Sequence, residues 1–288
     1  ANEMYLDSAD QRSSVVSLAK QVGYTPRSAV SSTAKIDVLV NNGSGASITM
    51  SRGTKFTTTV DGTSYSFVNN ADVSVSPVDG VYKFSNLDIY EGTYLNYKYT
   101  ANTSDTDQRF IIPNDNVDTT TLTVKIQESA SDSTTNTYTL ASGITGIDST
   151  SKVYFLQEVE NGRFEVYFGD GVLGKAVADG NIVILDYITC NLDEPNGAST
   201  FTLNGNIGGF TNVTITTVNN ANGGDAHESI KSIKYNAPRD YTSQDRAVTA
   251  DDYKVLVKSL YANAQSVQVY GGEDAATPDY GKVYISIK

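Results

Sequence analysis

The sequence VYFLQEVENGRFEVYF, at residues 153–168, carries the clearest fold signal in the chain. Apolar side chains alternate with polar ones on both sides of Asn161-Gly162, and these two residue types tolerate the left-handed backbone of a tight hairpin turn. The stretch therefore predicts two antiparallel strands. A little further on, Ile182–Ile188 is apolar almost throughout, which is typical of a strand covered on both faces.

Upstream, the same alternation extends from Ile36 to about Ile126. Dipeptides that favour hairpin turns separate the runs; they are Asp61-Gly62, Asp79-Gly80 and Glu91-Gly92. The polar stretch Ser129–Thr137 has no apolar period and predicts a loop or linker. These patterns predict β-rich, sandwich-like regions.

Near the N-terminus, apolar residues recur with helical spacing. The stripe comprises Val15, Leu18, Ala19 and Val22. Gly23 suits a left-handed C-terminal cap, and Pro26 prevents the helix from continuing. A helix that ends near residue 22 is therefore predicted.

Helical spacing returns after Gly223-Gly224. Glu228–Tyr235 predicts a short helix that Pro238 closes. A second helix is predicted to begin at Thr249, because its hydroxyl can accept a hydrogen bond from the N–H of Asp252. The apolar stripe of that helix would comprise Tyr253, Leu256, Val257 and Leu260. Two short strands, at 267–269 and 283–287, follow.

The predicted fold class is mainly β with α+β. We place an N-terminal helical segment at residues 1–35, a β-sandwich-like domain at 36–135, a second β domain at 136–224 and a truncated α+β unit at 225–288. Ser129–Thr137 and Ala221–Asp225 are the predicted hinges. Because the sequence begins at Ala1 and stops at Lys288 inside an apolar alternation, we expect a fragment of a longer polypeptide.

Charge is distributed unevenly along the chain. The formal net charge is -12, with Lys+Arg 21 against Asp+Glu 33, yet from Ala226 onward basic and acidic residues balance. An acidic surface repels phosphate, so no nucleic-acid partner is predicted. The balanced C-terminal section is the better candidate for a close protein contact. No apolar run reaches the roughly 18 residues of a membrane helix, so no membrane partner is predicted either.

Reactive residue types are sparse. Cys190 is the single cysteine, which excludes an internal disulfide and predicts a small buried apolar side chain. His227 lies beside Asp225, Glu228 and Ser229, but residues so close in sequence rarely assemble a catalytic triad. We predict a surface position for His227 at a helix start.

The segment Gly169–Ala176 has the glycine spacing of a nucleotide-binding loop. However, Ala176 stands where a Ser or Thr would hold Mg²⁺, and Asp179-Gly180-Asn181 interrupts the chain before a helix could form. A turn between strands, in which glycine adopts positive φ, is predicted instead.

Several acidic residues are candidates for catalytic or calcium sites. Asp115/Asp118 and Glu158/Glu160 could be glycosidase pairs, but such pairs arise by chance among so many acids. Asp105-Thr106-Asp107 lacks the Gly and the Glu of a calcium loop. We therefore predict no catalytic residue, no cofactor, no metal site and no small-molecule substrate.

Three parts of the sequence carry a family resemblance. They are Gly23–Arg27 within Leu18–Ser32; Phe168–Gly171 with Gly174; and Glu228–Lys231, Asn236–Arg239, Arg246–Thr249 and Asp252-Tyr253. These motifs resemble the baseplate-J-like family, and in particular the wedge subunits of T-even-type contractile phages. No motif in Ile36–Ile126 could be matched.

The resemblance implies a structural, non-enzymatic subunit of the virion tail baseplate, assembled in the host cytoplasm. It implies a homodimer, contacts with other wedge proteins, ring contacts with neighbouring wedges, and rearrangement when the sheath contracts. The residues that it marks as structural or interface positions are Pro238, Arg239, Arg246, Thr249, Asp252 and Tyr253. Two alternatives stay open: a carbohydrate- or receptor-binding tail protein, favoured by 19 tyrosines, and a tail-associated hydrolase.

Overall fold

The computed structural model describes residues 2–41, 45, 47–141, 143, 146–243, 247, 249–261, 264, 266–274 and 277–288. Backbone contacts group the chain into two compact units. The helical unit comprises Ala1–Ser28, Leu156–Phe164 and His227–Lys288, and the sheet unit comprises Ala29–Phe155 and Glu165–Ala226. Each unit is described by itself.

Fifteen strands lie between residues 33 and 222, and all belong to the sheet unit except the end of β11 and the first residue of β12, which fall in Leu156–Phe164. They are β1 Thr33–Asn41, β2 Ile48–Met50, β3 Lys55–Val60, β4 Thr63–Asn69, β5 Val73–Val75, β6 Val81–Glu91, β7 Thr93–Thr100, β8 Phe110–Ile111, β9 Val117–Ser129, β10 Asp132–Leu140, β11 Val153–Glu158, β12 Phe164–Phe168, β13 Ile182–Thr189, β14 Thr202–Asn204 and β15 Thr214–Asn222. This content confirms the predicted, mainly β fold class.

A six-stranded sheet has the order β14-β3-β4-β6-β1-β15, and β2 and β5 pair separately. Strand β1 alternates strictly between buried and half-buried residues, as the period-two pattern predicts. Its buried residues join a core with the aromatic rings of Phe56, Phe67 and Phe84. Removing one such ring from water stabilises the fold by roughly 1.5–3 kcal/mol.

A seven-stranded sheet, in the order β7-β13-β9-β10-β11-β12-β8, uses only the continuous segment from β7 to β13. Its first and last strands also meet, because the Tyr99 hydroxyl donates to the Ile111 carbonyl at 2.6 Å and the Tyr99 and Phe110 rings lie 5.6 Å apart. The sheet therefore curls onto itself. Edge-to-face ring contacts continue from Phe110 through Phe168 to Tyr138.

Two predicted hairpins are confirmed. Asp61-Gly62 joins β3 to β4 with both residues at positive φ, which is the geometry of a two-residue hairpin turn. Asn161-Gly162 lies between β11 and β12, which are neighbours in the seven-stranded sheet. The apolar strand predicted at Ile182–Ile188 is β13, and its inner six residues are buried.

Two other predictions from turn chemistry are wrong. Glu91-Gly92 does not close a hairpin, because β6 pairs with β1 and β4 whereas β7 pairs with β13. The dipeptide instead carries the chain from one sheet to the other. Ser129–Thr137 is not a linker, since most of it forms β10, which pairs with β9. Exposed strand positions tolerate polar residues, so the missing apolar period was misleading.

The sheets also cut across the predicted boundary near residue 136. Strand β13 pairs with β7 and β9, and β15 pairs with β1, so strands from both predicted β domains share each sheet. Long-range pairing of this kind leaves no local sequence signal. The predicted hinge at Ala221–Asp225 is hydrogen-bonded as well, because Val30 and Asp225 exchange backbone hydrogen bonds of 3.0 and 3.1 Å.

The helical unit contains α1 Arg12–Gln21, α2 Ile230–Ser243, α3 Ala250–Leu260 and the hairpin of β16 Val267–Gly271 and β17 Val283–Ile287. Short 3-10 turns lie at Asn2–Met4, Glu160–Gly162 and Gly272–Asp274. The predicted stripe of α1 is confirmed, because Val15 and Ala19 are buried against Ile233 and Ala237 of α2. None of the helices in the described ranges has the length and apolar character that crossing a membrane requires.

The predicted C-cap of α1 is also confirmed. Gly23 has φ +82°, its N–H donates to the Lys20 carbonyl, and the N–H of Tyr24 donates to the Ala19 carbonyl, both at 3.0 Å. This paired pattern is a Schellman motif, which satisfies carbonyls that a helix end leaves unpaired.

The predicted end of α2 at Pro238 is wrong, because the helix continues to Ser243 with the proline inside it. Proline removes one helical hydrogen bond and costs about 3 kcal/mol in a regular helix. Here Pro238 lies on the exposed side, while Ile233 and Ala237 are fully buried. We attribute the continuation to this burial, which anchors the helix up to the residue just before the proline.

In α3 the predicted apolar stripe is only partly correct. Leu260 is 85% exposed, and the buried residue is Val255, which the predicted stripe omits. Helix α3 packs against β16, and the face of α3 that is buried is determined by this contact.

Cys190 is buried and free, as predicted. Burial raises the pKa of its thiol to about 11. Since the thiolate is the reactive form, we expect Cys190 in the folded chain to react with a thiol reagent at pH 8 at least about 100-fold more slowly than a free cysteine. Stopped-flow labelling in buffer and in 8 M urea measures this difference. Fast labelling without denaturant would contradict the burial.

Candidate functional site

The carboxylate of Glu228 is the centre of a polar cluster in the helical unit. It lies two residues before α2 and is buried. Four donors reach it: the Tyr24 hydroxyl at 2.8 and 2.9 Å, the Arg27 N–H at 3.1 Å, the Ser232 hydroxyl at 2.6 Å and the Asn236 amide at 2.9 Å. The exit of α1 and the first turns of α2 are thereby joined through one side chain.

Arg12 extends this cluster to the turn between β11 and β12. Its guanidinium donates two parallel hydrogen bonds to Glu158, at 2.7 and 2.8 Å, and a third to the backbone carbonyl of Glu228. The Glu158 side chain is only 1% exposed. A buried carboxylate in a bidentate contact with Arg is held in a fixed geometry. Arg12, Glu158 and Glu228 therefore join three segments that are distant in sequence.

The protonation of Tyr24 and the pairing of Glu158 show how the charges of the cluster are held. Burial, and then the charge of Glu228, raise the pKa of the Tyr24 hydroxyl far above its usual range. Tyr24 therefore stays protonated and acts as a hydrogen-bond donor. Glu158 is engaged by Arg12, while Glu160 is exposed, so the two carboxylates do not form a matched acid–base pair.

His227 lies next to this cluster and is exposed, so its predicted surface position is confirmed. Partial burial and the charges of Arg12 and Arg27 lower the pKa of its imidazole, against the opposing effect of Glu158. The carboxylate of the neighbouring Glu228 accepts hydrogen bonds from Tyr24, Ser232 and Asn236 and is therefore not placed to orient His227. The geometry is not that of a triad.

Three residues singled out by the family resemblance lie together at the start of α3. The Thr249 hydroxyl accepts from the N–H of Asp252 at 3.2 Å, and the Asp252 carboxylate accepts from the N–H of Thr249 at 2.8 Å. This reciprocal capping box is the arrangement that the sequence predicts. Tyr253 follows in the first turn, where it is half-buried. These residues fix where α3 begins.

Two more of the predicted residues lie on α2. Arg239 stacks over the Tyr235 ring at 3.6 Å and donates to the Tyr235 carbonyl at 2.7 Å. In a regular helix that carbonyl accepts from the N–H of residue 239, so the guanidinium is an additional donor to it; the carbonyl that faces the missing N–H of Pro238 is that of Lys234. Arg246, the remaining predicted residue, lies outside the described residues, and its importance stays a prediction.

The glycine-rich segment forms a compact turn that folds on itself. The Asp170 carboxylate accepts from the N–H groups of Val172 and Leu173 at 2.9 and 3.0 Å, and Gly171 N–H donates to the Gly174 carbonyl. A Cβ on Gly169 would lie 2.5 Å from the Gly174 oxygen. The backbone N–H groups that would face a phosphate are thus already used, which agrees with the predicted turn.

The other acidic candidates have local partners. Asp118 is 1% exposed and accepts from the N–H groups of Ser31 and Thr120 at 2.8 and 3.0 Å, whereas Asp115 is exposed. The Asp105 carboxylate accepts from the N–H of Asp107 in an exposed turn. Within the part of the chain that the structure describes, no group of three or more His, Cys, Asp or Glu side chains is arranged to hold a metal ion.

A second polar cluster lies inside the sheet unit around Arg52. Its guanidinium donates to Asn70 at 2.6 Å, to the Thr121 carbonyl at 3.2 Å and to Asp186 at 3.4 Å. Burial alone would raise the pKa of Asp186, but hydrogen bonds from Asn96 and Tyr94 and the charge of Lys125 lower it below its usual value. Arg52, just before β3, is thereby connected to β9 and β13 of the other sheet.

The polar clusters around Glu228 and Arg52 hold distant segments of the chain together, which is a structural role for these side chains. Comparison with known proteins agrees. The model "Baseplate structural protein gp6, C-terminal domain I" matches residues 249–288, and "Bacteriophage baseplate wedge protein gp6, third domain" matches residues 97–193.

A particular relative extends the similarity to nearly the whole chain. The chain is 26% identical over 308 residues to the baseplate wedge protein gp6 of Enterobacteria phage T4, covering 96% of this chain and 45% of that protein. The chain therefore spans somewhat less than half the length of this relative. The resemblance predicted from the sequence motifs is confirmed, and the similarity supports a location in the virion tail baseplate.

The matched regions coincide with structural elements. Residues 97–193 correspond closely to the seven-stranded sheet from β7 to β13, and residues 249–288 contain α3, β16 and β17. The segment that matches the third-domain model is therefore a continuous sheet that lies, in sequence, between β6 and β14 of the six-stranded sheet. The boundary predicted near residue 136 falls inside this domain.

Sequence reasoning missed the clusters around Arg12 and Arg52. Tyr24, Arg27 and Glu228 stand inside the motifs that carry the family resemblance, yet nothing local indicated that these motifs meet. Arg12 and Glu158 are 146 residues apart. The only local signal of this contact is that each charged side chain lies at the end of a helix or strand that is otherwise rich in apolar residues. Charged residues are common at such positions on ordinary protein surfaces, so this signal does not predict an ion pair.

Proposed function

We propose that this chain is a structural part of a contractile-phage baseplate wedge and acts through protein–protein interfaces. The observation that carries the proposal is its similarity, over nearly its full length, to the T4 baseplate wedge protein gp6. The polar clusters support it, because the buried charges of Glu158 and Asp186 are used in ion pairs that hold segments of the fold together.

The partners that we propose are a second copy of the chain, other wedge proteins and the neighbouring wedges of a ring. A closed ring requires every subunit to present at least two complementary surfaces. The two units supply separate surfaces for these contacts. Rearrangement on sheath contraction would then exchange one set of contacts for another while each unit keeps its own fold.

Co-assembly tests this role directly. The chain, carrying an affinity tag, is co-expressed with the other wedge proteins of the same phage and purified at physiological salt. We expect a stable complex whose electron-microscopy map accommodates both units within the wedge. An equal amount of tagged Cys190→Ser chain is the matched control, because that buried change alters no surface. Failure of every wedge protein to co-purify with the folded chain would overturn the proposal.

A second candidate function is a carbohydrate- or receptor-binding tail protein. It has one specific observation in its favour: Tyr270 and Tyr284 stack at 5.3 Å on the hairpin of the helical unit, and both rings remain exposed. Exposed aromatic faces suit the apolar faces of sugars. Binding of the chain to a glycan array that is lost in Tyr284→Ala would favour this candidate over the structural role.

A further inference from the structure

The sheet unit has a neck, where the chain leaves the six-stranded sheet for the seven-stranded sheet and later returns. Glu91 ends β6 on the way out, and Asn191 follows β13 on the way back. The buried carboxylate of Glu91 accepts from the Asn191 N–H at 2.9 Å and from the Asn191 side-chain amide at 2.7 Å. One side chain therefore ties the outgoing chain to the returning chain.

A second buried carboxylate connects the same two sheets. Asp118 lies in β9 of the seven-stranded sheet and accepts at 2.8 Å from the N–H of Ser31, which precedes β1 of the six-stranded sheet. Its other donors are the N–H and the hydroxyl of Thr120, at 3.0 and 2.6 Å. Glu91 and Asp118 therefore each accept from backbone that leads to or from the other sheet.

The neck is closely packed. Glu91 and Asp118 are 0% and 1% exposed, and a Cβ on Gly92 would collide with the Thr189 carbonyl oxygen. Cys190 lies near both carboxylates, since burial and then the charges of Asp118 and Glu91 raise the pKa of its thiol. The two carboxylates therefore belong to one buried cluster, and Cys190 reports on it.

The partners of the two carboxylates carry no positive charge. Within the described ranges, every hydrogen-bond donor to Glu91 and Asp118 is a backbone N–H, an amide or a hydroxyl. The titratable groups that act on the two carboxylates are themselves acids; they are Glu194, Tyr65, Tyr90 and Cys190. A carboxylate buried without a cation is destabilised in its charged form.

The cations of the strands that meet at the neck are paired with other carboxylates. The pairs are Lys35 with Asp88, Lys83 with Asp37 and Lys125 with Asp186, at 2.6, 3.9 and 3.3 Å. Lys125 thereby supports the cluster around Arg52. The two contacts between the sheets thus differ in kind, because the Arg52 cluster contains cations and the neck does not.

Burial raises the pKa of both neck carboxyl groups, against the hydrogen bonds from Asn191, Ser31 and Thr120 that lower it. When the folded pKa of an acid is raised, its contribution to stability is complete below the unfolded pKa, at about 4. That contribution is lost as the pH rises through the folded pKa. Within this window each group increases the equilibrium constant for opening by up to about tenfold per pH unit.

We infer that the neck is a pH-dependent joint between the two sheets, closed while Glu91 and Asp118 carry protons and loosened when they ionise. Ionisation leaves two buried negative charges without cations, and water can hydrate them only if the neck opens. Acidic conditions therefore hold the two sheets together more firmly than neutral conditions. The inference concerns the sheet unit alone and does not depend on the proposed wedge role.

Labelling of Cys190 in the full 288-residue chain tests the joint, because a small neutral thiol reagent reaches this buried thiol only when the neck opens. The labelling rate of a free cysteine, divided by that of Cys190 at the same pH, measures how firmly the neck is closed. We expect this protection to fall at least about tenfold between about pH 5 and pH 8.

Glu91→Gln removes one charge and keeps both contacts, because the Asn191 amide can turn over and accept where it now donates. We expect the fall in protection to be at least about threefold smaller in this variant. Glu128→Gln is the matched control, since it makes the same change at an exposed carboxylate on the strand of Asp118. Its protection should follow that of the unaltered chain within about twofold.

A fall in protection that Glu91→Gln reduces and Glu128→Gln does not supports the joint. Protection that stays constant or increases between these pH values in the unaltered chain overturns it. The joint is also overturned if Glu91→Gln leaves the fall unchanged, or if Glu128→Gln reduces it equally. Should Glu91→Gln not fold, Asp118→Asn takes its place with the same expected result, and an undiminished fall in that variant overturns the joint as well.

Discussion

Gly92→Ala is expected to destabilise the sheet unit by about 3 kcal/mol or more, because two independent costs coincide at this position. Gly92 has φ +130°, a conformation that L-residues rarely adopt. A Cβ at this position would also collide with the Thr189 carbonyl oxygen and lie 2.8 Å from Cγ2 of Ile188. Both contacts belong to β13, which pairs with β7, and the Thr189 carbonyl is backbone that cannot move without disturbing that pairing. Urea unfolding followed by circular dichroism measures the change.

Gly62→Ala is the matched control for this substitution. Gly62 also has positive φ, at +84°, but no atom lies within 4 Å of the Cβ that the substitution adds. We expect it to cost only about 1 kcal/mol, the backbone contribution alone. If the two variants unfold at the same urea concentration, the close approach of Gly92 to β13 contributes nothing to stability, and the crossing between the sheets is not constrained as described.

Much of the local structure could be predicted from the sequence. The stripe of α1, its glycine cap, the capping box of Thr249 and the Asp61-Gly62 turn all depend on residues within a few positions of one another. Their physical causes are visible in a short window. The sequence pattern of β10 is misleading because a strand that faces solvent needs no apolar period, and hydrogen bonding to β9 and β11 holds it in the sheet.

The topology and the polar clusters could not be predicted, because their partners are far apart in the chain. Glu91-Gly92 has the composition of a hairpin turn, but pairing of β7 with β13, about ninety residues later, sends the chain to another sheet. Pro238 signals a helix end, yet burial of Ala237 against α1 outweighs that local preference. Glu228 has no unusual neighbours in sequence, and its role depends on Tyr24, which lies 204 residues earlier.

Arg12→Ala is expected to destabilise the helical unit by about 3–5 kcal/mol, since it leaves the buried carboxylate of Glu158 without its cation. The substitution also removes the donor to the Glu228 carbonyl, so α1 loses its connection to the β11–β12 turn and to α2. The loss appears as a lower melting temperature. Arg12→Lys is expected to recover only part of it, because an ammonium group cannot form the two parallel hydrogen bonds of the guanidinium.

The exposed pair of Lys254 and Asp251 provides the control. These side chains are 2.9 Å apart but 40% and 59% exposed, so Lys254→Ala should cost less than about 0.5 kcal/mol. The double variant Arg12→Met, Glu158→Leu distinguishes the mechanism further. If the penalty of Arg12→Ala comes from an unpaired buried charge, replacing both charges by apolar side chains restores much of the stability. A double variant that is no more stable than Arg12→Ala would show that the hydrogen bond to Glu228, rather than the ion pair, holds these three segments together.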